Sequence, residues 1–404
     1  MTTTARQRVR RTAATASATV LLATLLSVTT GTPAGAGSVC TPAWSLMPAS
    51  AIAPDRDTEV VGVNVLSATD VRFTENHSNA GTQTLTWNGR KLTENGPQIP
   101  QPPWTRSSFQ ADRGSFDSAK SGWVKTSLLP GYSPSTLARW DGSRWTLVPG
   151  AVSPTPEKGA ATVHGIASLA PNLAWAVGDT SDGGALIERW DGTEWTVVGH
   201  PAADRPRDTL IAVRALSATD IWASGTHRDP DTGRYQPMIL HYDGTTWTET
   251  ALPGIESGGS LQSIAATGPD DIWAGGWKGT ETQPEPLLLH WDGQSWTEAP
   301  APANTPGGSQ FHRLYAPAPG DLWAITLGAD PSFRVMHWTG GSWQRVKPQG
   351  AVPDTYEFYF HDIAGTGPND VWVVGASTFT EPSDFGYPRV RTRRLIAHLS
   401  CGGK

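Results

Sequence analysis

Asp-Ile-Trp-Ala-Gly-Gly at residues 271–276 and His-Trp-Asp-Gly-Gln-Ser-Trp-Thr at residues 290–297 are the clearest copies of two recurring motifs. Both motifs return about every fifty residues, which is the usual length of one propeller blade. The Trp of the first motif recurs as Trp123, Trp175, Trp222, Trp273, Trp323 and Trp372, with Arg72 in a degenerate first copy. The first aromatic residue of the second motif recurs as Trp87, Trp140, Trp190, Tyr242, Trp291 and Trp338.

Each repeat is predicted to contain four short strands. In the fifth repeat these are residues 261–266, 272–276, 287–291 and 296–299, where apolar and polar residues alternate between Gly, Pro and Asp boundaries. Asp292-Gly293 predicts a tight hairpin between the third and fourth strands, because Gly accepts the positive φ that such turns need. No segment shows helical periodicity over several turns, so we predict an all-β chain.

Seven such repeats predict a seven-bladed β-propeller of four-stranded antiparallel blades. One four-stranded repeat cannot bury its own faces, and Trp residues at fixed positions supply the area that neighbouring blades bury against each other. We therefore assign the motif Trp residues to the scaffold. The same assignment covers the four histidines that precede the third-strand aromatic residue: His241, His290, His337 and His398. Of the 19 Trp residues, Trp104 and Trp277 lie outside the motif positions.

The seventh repeat ends before its fourth strand, and the N-terminal region supplies the missing strand. Trp44 fits the fourth-strand Trp position, and Leu399 falls where the third-strand Trp belongs. This arrangement brings Cys40 and Cys401, the two cysteines of the chain, side by side. We therefore predict a Cys40–Cys401 disulfide and an oxidising compartment. In the chain-entropy model, closing so long a loop stabilises the fold by about 4 to 5 kcal/mol.

Residues 1–36 have the pattern of a secretory signal peptide. Arginines are followed by the apolar stretch 13–28 and by the small-residue cleavage site Ala34-Gly35-Ala36. Arg10-Arg11 leaves twin-arginine export open as an alternative to the general secretory route. The prediction is an extracellular protein whose residues 37–404 form one propeller domain.

Charge and hydropathy narrow the classes of partner. The formal net charge is −6 and the sequence has no basic run, which argues against nucleic acid as a ligand. Beyond the leader, no segment is long and apolar enough to cross a membrane. We expect a monomer without a membrane span.

The D-x-W-A-x-G and H-W-D-G-x-x-W motifs give residues 40–404 a resemblance to secreted Trp-rich propellers of actinobacteria. These are loosely similar to kelch and galactose-oxidase-like propellers. The chain departs from kelch repeats because it lacks their regular diglycine, which only Gly275-Gly276 matches. The resemblance implies the propeller fold and does not specify a ligand.

Loops of variable length predict which face carries function. Turns between first and second strands and between third and fourth strands are short and uniform, whereas the other two kinds of connection vary. Because loops on a rigid scaffold tend to carry function, we assign the site to this second face, named here the top face. Its aromatic residues are predicted to stack on sugar rings or to anchor a peptide: Trp104, Tyr235, Trp277, Tyr356, Tyr359 and Tyr387.

A second set of candidates lies eleven residues before each second-strand Trp. The set consists of Val61, Asp112, His164, Ile211, Gln262, His312 and His361, and it should surround the central channel. His164, His312 and His361 are candidate ligands for a divalent metal, since neutral imidazole is the commonest protein ligand. The alternative is an ordinary polar channel lining. Apart from this metal, we expect no cofactor.

The function indicated by these features is recognition of a glycan or cell-surface polymer by the aromatic loops. Two alternatives stay open: a metal-assisted lyase or hydrolase at the channel mouth, and a protein-interaction scaffold. The fold hosts all three activities, so the repeats do not separate them. Because Trp104 and Trp277 occupy different kinds of loop, one composite site is expected rather than one site per blade.

Overall fold

Seven antiparallel sheets, each built from four main strands, make up the part of the chain that the computed structural model describes. That part comprises Met1 and residues 41–47, 57–78, 81–94, 96–100, 109–128, 136–152, 161–180, 183–303, 308–328, 333–348, 357–381 and 389–401. Within it, every regular element is a strand, and no helix is long and apolar enough to cross a membrane. The predicted signal peptide and Cys40 lie outside the described residues.

The strands follow one another blade by blade, and in each blade strands A to D run from the inner to the outer edge. Blade 1 contains β2 (Thr58–Ser67), β3 (Asp70–His77), β4 (Gly81–Trp87) and β5 (Leu92–Thr93), and β6 (Gln98–Ile99) also pairs with β4. Blade 2 contains β7 (Phe109–Ser118), β8 (Ser121–Leu128), β9 (Thr136–Trp140) and β10 (Trp145–Val148). Blade 3 contains β11 (Ala161–Ala170), β12 (Leu173–Thr180), β13 (Ala185–Trp190) and β14 (Trp195–Val197).

The remaining blades repeat this order. Blade 4 contains β15 (Thr209–Ser217), β16 (Asp220–Arg228), β17 (Tyr235–Tyr242) and β18 (Trp247–Glu249). Blade 5 contains β19 (Gly259–Gly268), β20 (Asp271–Thr280), β21 (Gln283–Trp291) and β22 (Trp296–Glu298). Blade 6 contains β23 (Ser309–Ala318), β24 (Asp321–Gly328), β25 (Phe333–Trp338) and β26 (Trp343–Val346). Blade 7 contains β27 (Glu357–Gly367), β28 (Asp370–Glu381), β29 (Arg389–Ser400) and, as strand D, β1 (Ala43–Leu46).

The ring closes between the two ends of the chain, as predicted. Strand β1 pairs with β29 in a register that places Trp44 opposite Leu399. The equivalent pair in blade 5 is Trp296 opposite Trp291, so Leu399 does occupy the third-strand aromatic position. Strand A of each blade contacts strand A of the next, and β27 contacts β2, which completes the inner ring. The Cys40–Cys401 disulfide stays a prediction.

Tryptophans form the contacts between blades. The strand B Trp of one blade packs against the outer-strand aromatic residues of the next: Trp123 lies 4.9 Å, ring centre to ring centre, from both Trp190 and Trp195. The same contact closes the ring, where Trp372 of blade 7 lies 5.9 Å from Trp87 of blade 1. Trp123 and Trp372 are fully buried. The assignment of the motif Trp residues to the scaffold is confirmed.

Candidate functional site

A backbone irregularity in every strand A positions the predicted ring of channel residues. In blade 3, Val163 pairs with Gly178 and Gly165 pairs with Val177, so His164 between them has no partner in the ladder. A shift at the equivalent position recurs in the other six blades. One residue is left unpaired in five of them, at Val61, Ile211, Gln262, His312 and His361, and in blade 2 both Asp112 and Arg113 are left unpaired. Because a β-bulge bends its strand and re-aims a side chain, these residues differ in orientation from the rest of strand A.

Charged side chains from blades 2, 6 and 7 converge at these bulges. We name this group the channel cluster; it consists of Asp112, Arg113, Lys125, His312, Arg313 and Asp362. Lys125 Nζ lies 2.7 Å from Asp112 Oδ2, and Arg313 Nε lies 4.0 Å from Asp362 Oδ1. The charge of Arg113 acts on both Arg313 and Asp362. Since blades 2 and 6 are not neighbours in the ring, this interaction runs across the central channel.

Burial and neighbouring positive charges lower the pKa values of His312 and Arg313. Burial lowers the pKa of His312 to about 2, and the positive charges of Arg313 and Arg113 add to that effect. Burial also lowers the pKa of Arg313 to about 9, with a further contribution from Arg113. At neutral pH His312 is therefore neutral, while Arg313 is charged.

The two carboxylates of the channel cluster shift in opposite directions. Burial opposes ionisation of Asp112, but Lys125 and Arg113 outweigh it and hold its pKa well below the ordinary value. Burial raises the pKa of Asp362, although Arg113 and Arg313 lie close by. Asp362 also accepts a hydrogen bond from the backbone N–H of Val63, at 3.0 Å, which ties blade 7 to blade 1.

An aromatic group adjoins the channel cluster at the top end of blades 6, 7 and 1. We name it the rim cluster; it consists of Phe333, Tyr359, His361, Glu357 and Glu59. The Phe333 ring centre lies 6.0 Å from that of Tyr359 and 6.2 Å from that of His361. Phe333, Tyr359 and His361 are partly exposed. The cluster therefore presents aromatic surface to solvent at the channel mouth.

Carboxylates flank the aromatic surface of the rim cluster. The Tyr359 hydroxyl donates a hydrogen bond to Glu357 Oε2, at 3.0 Å, and this bond raises the pKa of Tyr359. His361 Nε2 lies 3.6 Å from Glu59 Oε2, and His361 lowers the pKa of Glu59. Oxygen acceptors thus lie at the edges of these rings.

The three predicted metal ligands do not meet in one site. His312 lies near His361, and both lie beside the ring of Phe333. His164 instead pairs with Asp179 within blade 3. Among the residues with described positions, no group of three His, Cys, Asp or Glu side chains is placed to hold a metal ion. No metal site is thus seen at His164, His312 and His361 among the described residues, and metal binding there stays a prediction.

Trp277 differs from the expectation of an exposed loop aromatic. Strands β20 and β21 continue well past the predicted loop boundaries, and a two-residue turn at Glu281-Thr282 joins them. Trp277 consequently lies inside β20, opposite Pro286, with 8% of its surface exposed. It packs edge-on against Tyr235 of blade 4, at 6.3 Å between ring centres.

The other aromatic candidates divide into two groups. Tyr235 and Tyr359 are partly exposed at the top ends of blades 4 and 7, in keeping with the predicted face. Trp104, Tyr356 and Tyr387 lie outside the described residues, so their part in binding stays a prediction.

Sequence reasoning missed three members of the clusters: Glu59, Lys125 and Phe333. Lys125 follows the strand B Trp by two residues, where blades 3, 6 and 7 have the fully buried Val177, Ile325 and Val374. A charged residue at a position that is apolar in three other blades, and uncharged in all of them, was the available signal. Phe333 begins strand C of blade 6, and nothing in its spacing marks it.

Comparison with known proteins identifies the fold alone. No protein-family model and no curated relative matches the chain. YCF48 bound to a D1 peptide has a TM-score of 0.53 and 12% identity, covering 88% of this chain and 96% of that one. A GH74 xyloglucanase from Xanthomonas campestris has a TM-score of 0.54 and 12% identity, covering 87% of this chain and 55% of the enzyme. The PL25 ulvan lyase bound to -[GlcA(1-4)Rha3S]- has a TM-score of 0.51 and 11% identity, covering 83% and 93%. Together with the ring of seven sheets, these similarities establish a β-propeller. They do not support the kelch-like or actinobacterial type.

Proposed function

We propose that the protein binds a glycan or cell-surface polymer at the top face, with the rim cluster as the platform for a sugar ring. The observation that carries this proposal is the partly exposed Phe333–Tyr359 pair with Glu357 and Glu59 at its edge. Aromatic faces pack against the C–H face of a sugar, and neighbouring carboxylates accept hydrogen bonds from its hydroxyls.

The position of the rim cluster on strands supports this role. Tyr359 in β27 and Phe333 in β25 are both paired with a neighbouring strand, which fixes their spacing, and His361 lies at the bulge two residues after Tyr359. A site built on strands is held more rigidly than one built on loops alone. The two polysaccharide-acting propellers of similar fold are compatible with this function, and the peptide-bound YCF48 structure is compatible with a protein ligand.

We further propose that the protein acts outside the cell. The pattern of residues 1–36 and the predicted Cys40–Cys401 disulfide support this location. Non-reducing peptide mapping and N-terminal sequencing of protein collected from the culture medium test both points. A full-length N-terminus on cell-associated protein with reduced cysteines would contradict them.

A binding screen with three variants tests the glycan proposal. The purified protein is applied to a glycan array and to insoluble polysaccharides, and the dissociation constant is then measured for each ligand found. We expect Tyr359→Ala and Phe333→Ala each to weaken binding about tenfold, since aromatic contacts of this kind contribute on the order of 1 kcal/mol beyond buried area.

Tyr235→Ala is the matched control, because Tyr235 is a partly exposed aromatic residue of the same face but lies in blade 4. The Tyr235→Ala variant should bind the glycan with the same affinity as the unmodified protein. The melting temperatures of all variants are compared, so that a loss of folding is not taken for a loss of binding. Loss of affinity in Tyr235→Ala alone would move the platform to blades 4 and 5. The absence of any glycan or polysaccharide ligand would refute the proposal.

A further inference from the structure

Positive charge exceeds negative charge along the central channel. Arg113, Lys125 and Arg313 face the carboxylates of Asp112 and Asp362. Arg214 of blade 4 adds a fourth cation, which interacts electrostatically with Tyr315 of blade 6 across the ring. The channel itself thus holds four of these cations against two carboxylates, and the rim cluster adds the carboxylates of Glu59 and Glu357 at its mouth. This excess is unexpected in a chain whose formal net charge is −6.

Two of these arginines have unused hydrogen-bond donors. Arg113 Nε and Arg313 Nε are buried, and neither has a hydrogen-bond acceptor among the described residues. The carboxylate oxygens beside them lie at 3.7 Å and 4.0 Å, which is too far for a hydrogen bond. Buried donors are normally satisfied, so two of them in one channel suggest an acceptor supplied by a ligand.

Part of the channel cluster is open to solvent, while the two Nε atoms themselves are buried. The side chains of Asp112 and Arg113 keep 37% and 24% of their surface exposed, whereas Arg313 keeps 11%. The channel cluster and the rim cluster also adjoin, because His312 and His361 both lie beside the ring of Phe333. A ligand on the rim can therefore extend a substituent into the channel.

We infer that the central channel binds the anionic substituent of an acidic sugar, a carboxylate or a sulfate ester, between Arg113 and Arg313. Planar guanidinium groups hold such oxygens with two parallel hydrogen bonds, for which the unused Nε atoms are suited. Lys125 and Arg214 contribute charge without this geometry. The inference rests on the proposed function, since it assigns the class of glycan that the rim cluster would hold.

Titration with matched oligosaccharides tests the inference. The probes are an oligogalacturonide, the same oligomer with its carboxyl groups reduced to alcohols, and a sulfated oligosaccharide of equal length. We expect the unmodified protein to bind one of the charged oligomers at least tenfold more tightly than the reduced oligomer. That preference should fall steeply as salt is added.

Arginine variants locate the preference in the channel. Arg113→Gln and Arg313→Gln should each weaken binding of the charged oligomer about tenfold and leave binding of the reduced oligomer unchanged. Arg189→Gln, on the outer part of blade 3, is the matched control and should behave as the unmodified protein does. If Arg313→Gln lowers the melting temperature, Arg313→Lys is measured in its place. The lysine keeps the positive charge but lacks the planar guanidinium that donates two parallel hydrogen bonds.

The outcomes separate this inference from the proposed function. A preference for the carboxylated or for the sulfated oligomer, lost in both variants, supports the channel site and identifies its substituent. Equal affinity for charged and reduced oligomers would overturn the channel site while leaving glycan binding intact. If none of these oligomers binds and the broader screen finds no ligand, both the channel site and the proposed function are overturned.

Discussion

At the scale of single residues, an Asp, a His and a Trp form a repeated unit that explains the spacing of the two motifs. In blade 5, His290 stacks on Trp273 with 4.0 Å between ring centres, and its Nε2 lies 2.7 Å from Asp271 Oδ1. Trp273 Nε1 donates to the same oxygen, at 2.9 Å. Blades 4, 6 and 7 carry the equivalent His–Asp pairs stacked on Trp222, Trp323 and Trp372. The assignment of these histidines to the scaffold is therefore confirmed.

Asp271→Ala should lower the free energy of unfolding by about 2 to 4 kcal/mol, because it leaves two buried or half-buried ring N–H groups without their acceptor. Chemical denaturation measures the change. Asp270→Ala is the control, since Asp270 is the exposed neighbour in the same turn and should change stability by less than about 0.5 kcal/mol. Equal changes in the free energy of unfolding for the two variants would show that the Asp271 carboxylate does not stabilise the fold.

At the scale of strands, the sequence predicted the number and order of elements better than their ends. In blade 5 strand D ends one residue short of its predicted end, but strand B continues to Thr280 instead of Gly276. The sequence did not predict this extension, because it contains Gly279, Pro284 and Pro286, and Gly and Pro are rare in strands. In the structure these three residues are nevertheless paired across the two strands.

The bulge in each strand A was not predicted either. Residues as different as Val61, Asp112, His164 and Gln262 occupy it, so it is a property of the backbone with no fixed side-chain pattern. The distance in sequence from the strand B Trp was enough to predict which residues form the ring. That these residues lie at bulges is seen only in the pairing register of the strands.

His312 lies at one of these bulges and should make the fold sensitive to acid. Its pKa in the folded protein is about 2 against an ordinary value of 6.5, so the unfolded chain binds a proton that the folded protein does not. The stability that neutral His312 contributes is complete above pH 6.5 and is lost progressively as the pH falls. The slope is at most about 1.4 kcal/mol per pH unit.

Denaturation of the unmodified protein and of His312→Gln over a pH series isolates this effect from that of the carboxylates. Between about pH 6.5 and about pH 5, the variant should gain about 2 kcal/mol relative to the unmodified protein. A constant difference between the two proteins across this range would show that His312 titrates normally in the folded state.

At the scale of the whole molecule, the contact between blades 7 and 1 joins the two ends of the ring. Arg394 of β29 is buried and pairs with Glu75 of β3, at 3.3 Å, and with Glu94. Its backbone N–H donates to Thr58 Oγ1, at 3.1 Å, and the N–H of Thr392 donates to Asp57 Oδ1, at 3.0 Å. The motifs predicted the closing strand, but this ion pair joins residues too distant in sequence to be matched by pattern.

Glu75→Gln should destabilise the ring by about 3 kcal/mol, because it leaves Arg394 with less compensating charge in a buried position. Glu298→Gln is the matched control, since Glu298 forms a more exposed ion pair with Lys278 and should cost less than about 1 kcal/mol. Thermal and chemical denaturation of both variants give the comparison. Similar losses would mean that the closing interface does not depend on this pair.

A calorimetric titration of the tightest oligosaccharide found in the screen tests the central claim, that blades 6, 7 and 1 carry one composite glycan site, most directly. We expect one molecule bound per chain, and we expect Phe333→Ala to reduce the affinity without changing the melting temperature. Several equivalent sites per chain, or full affinity in Phe333→Ala, would contradict the account.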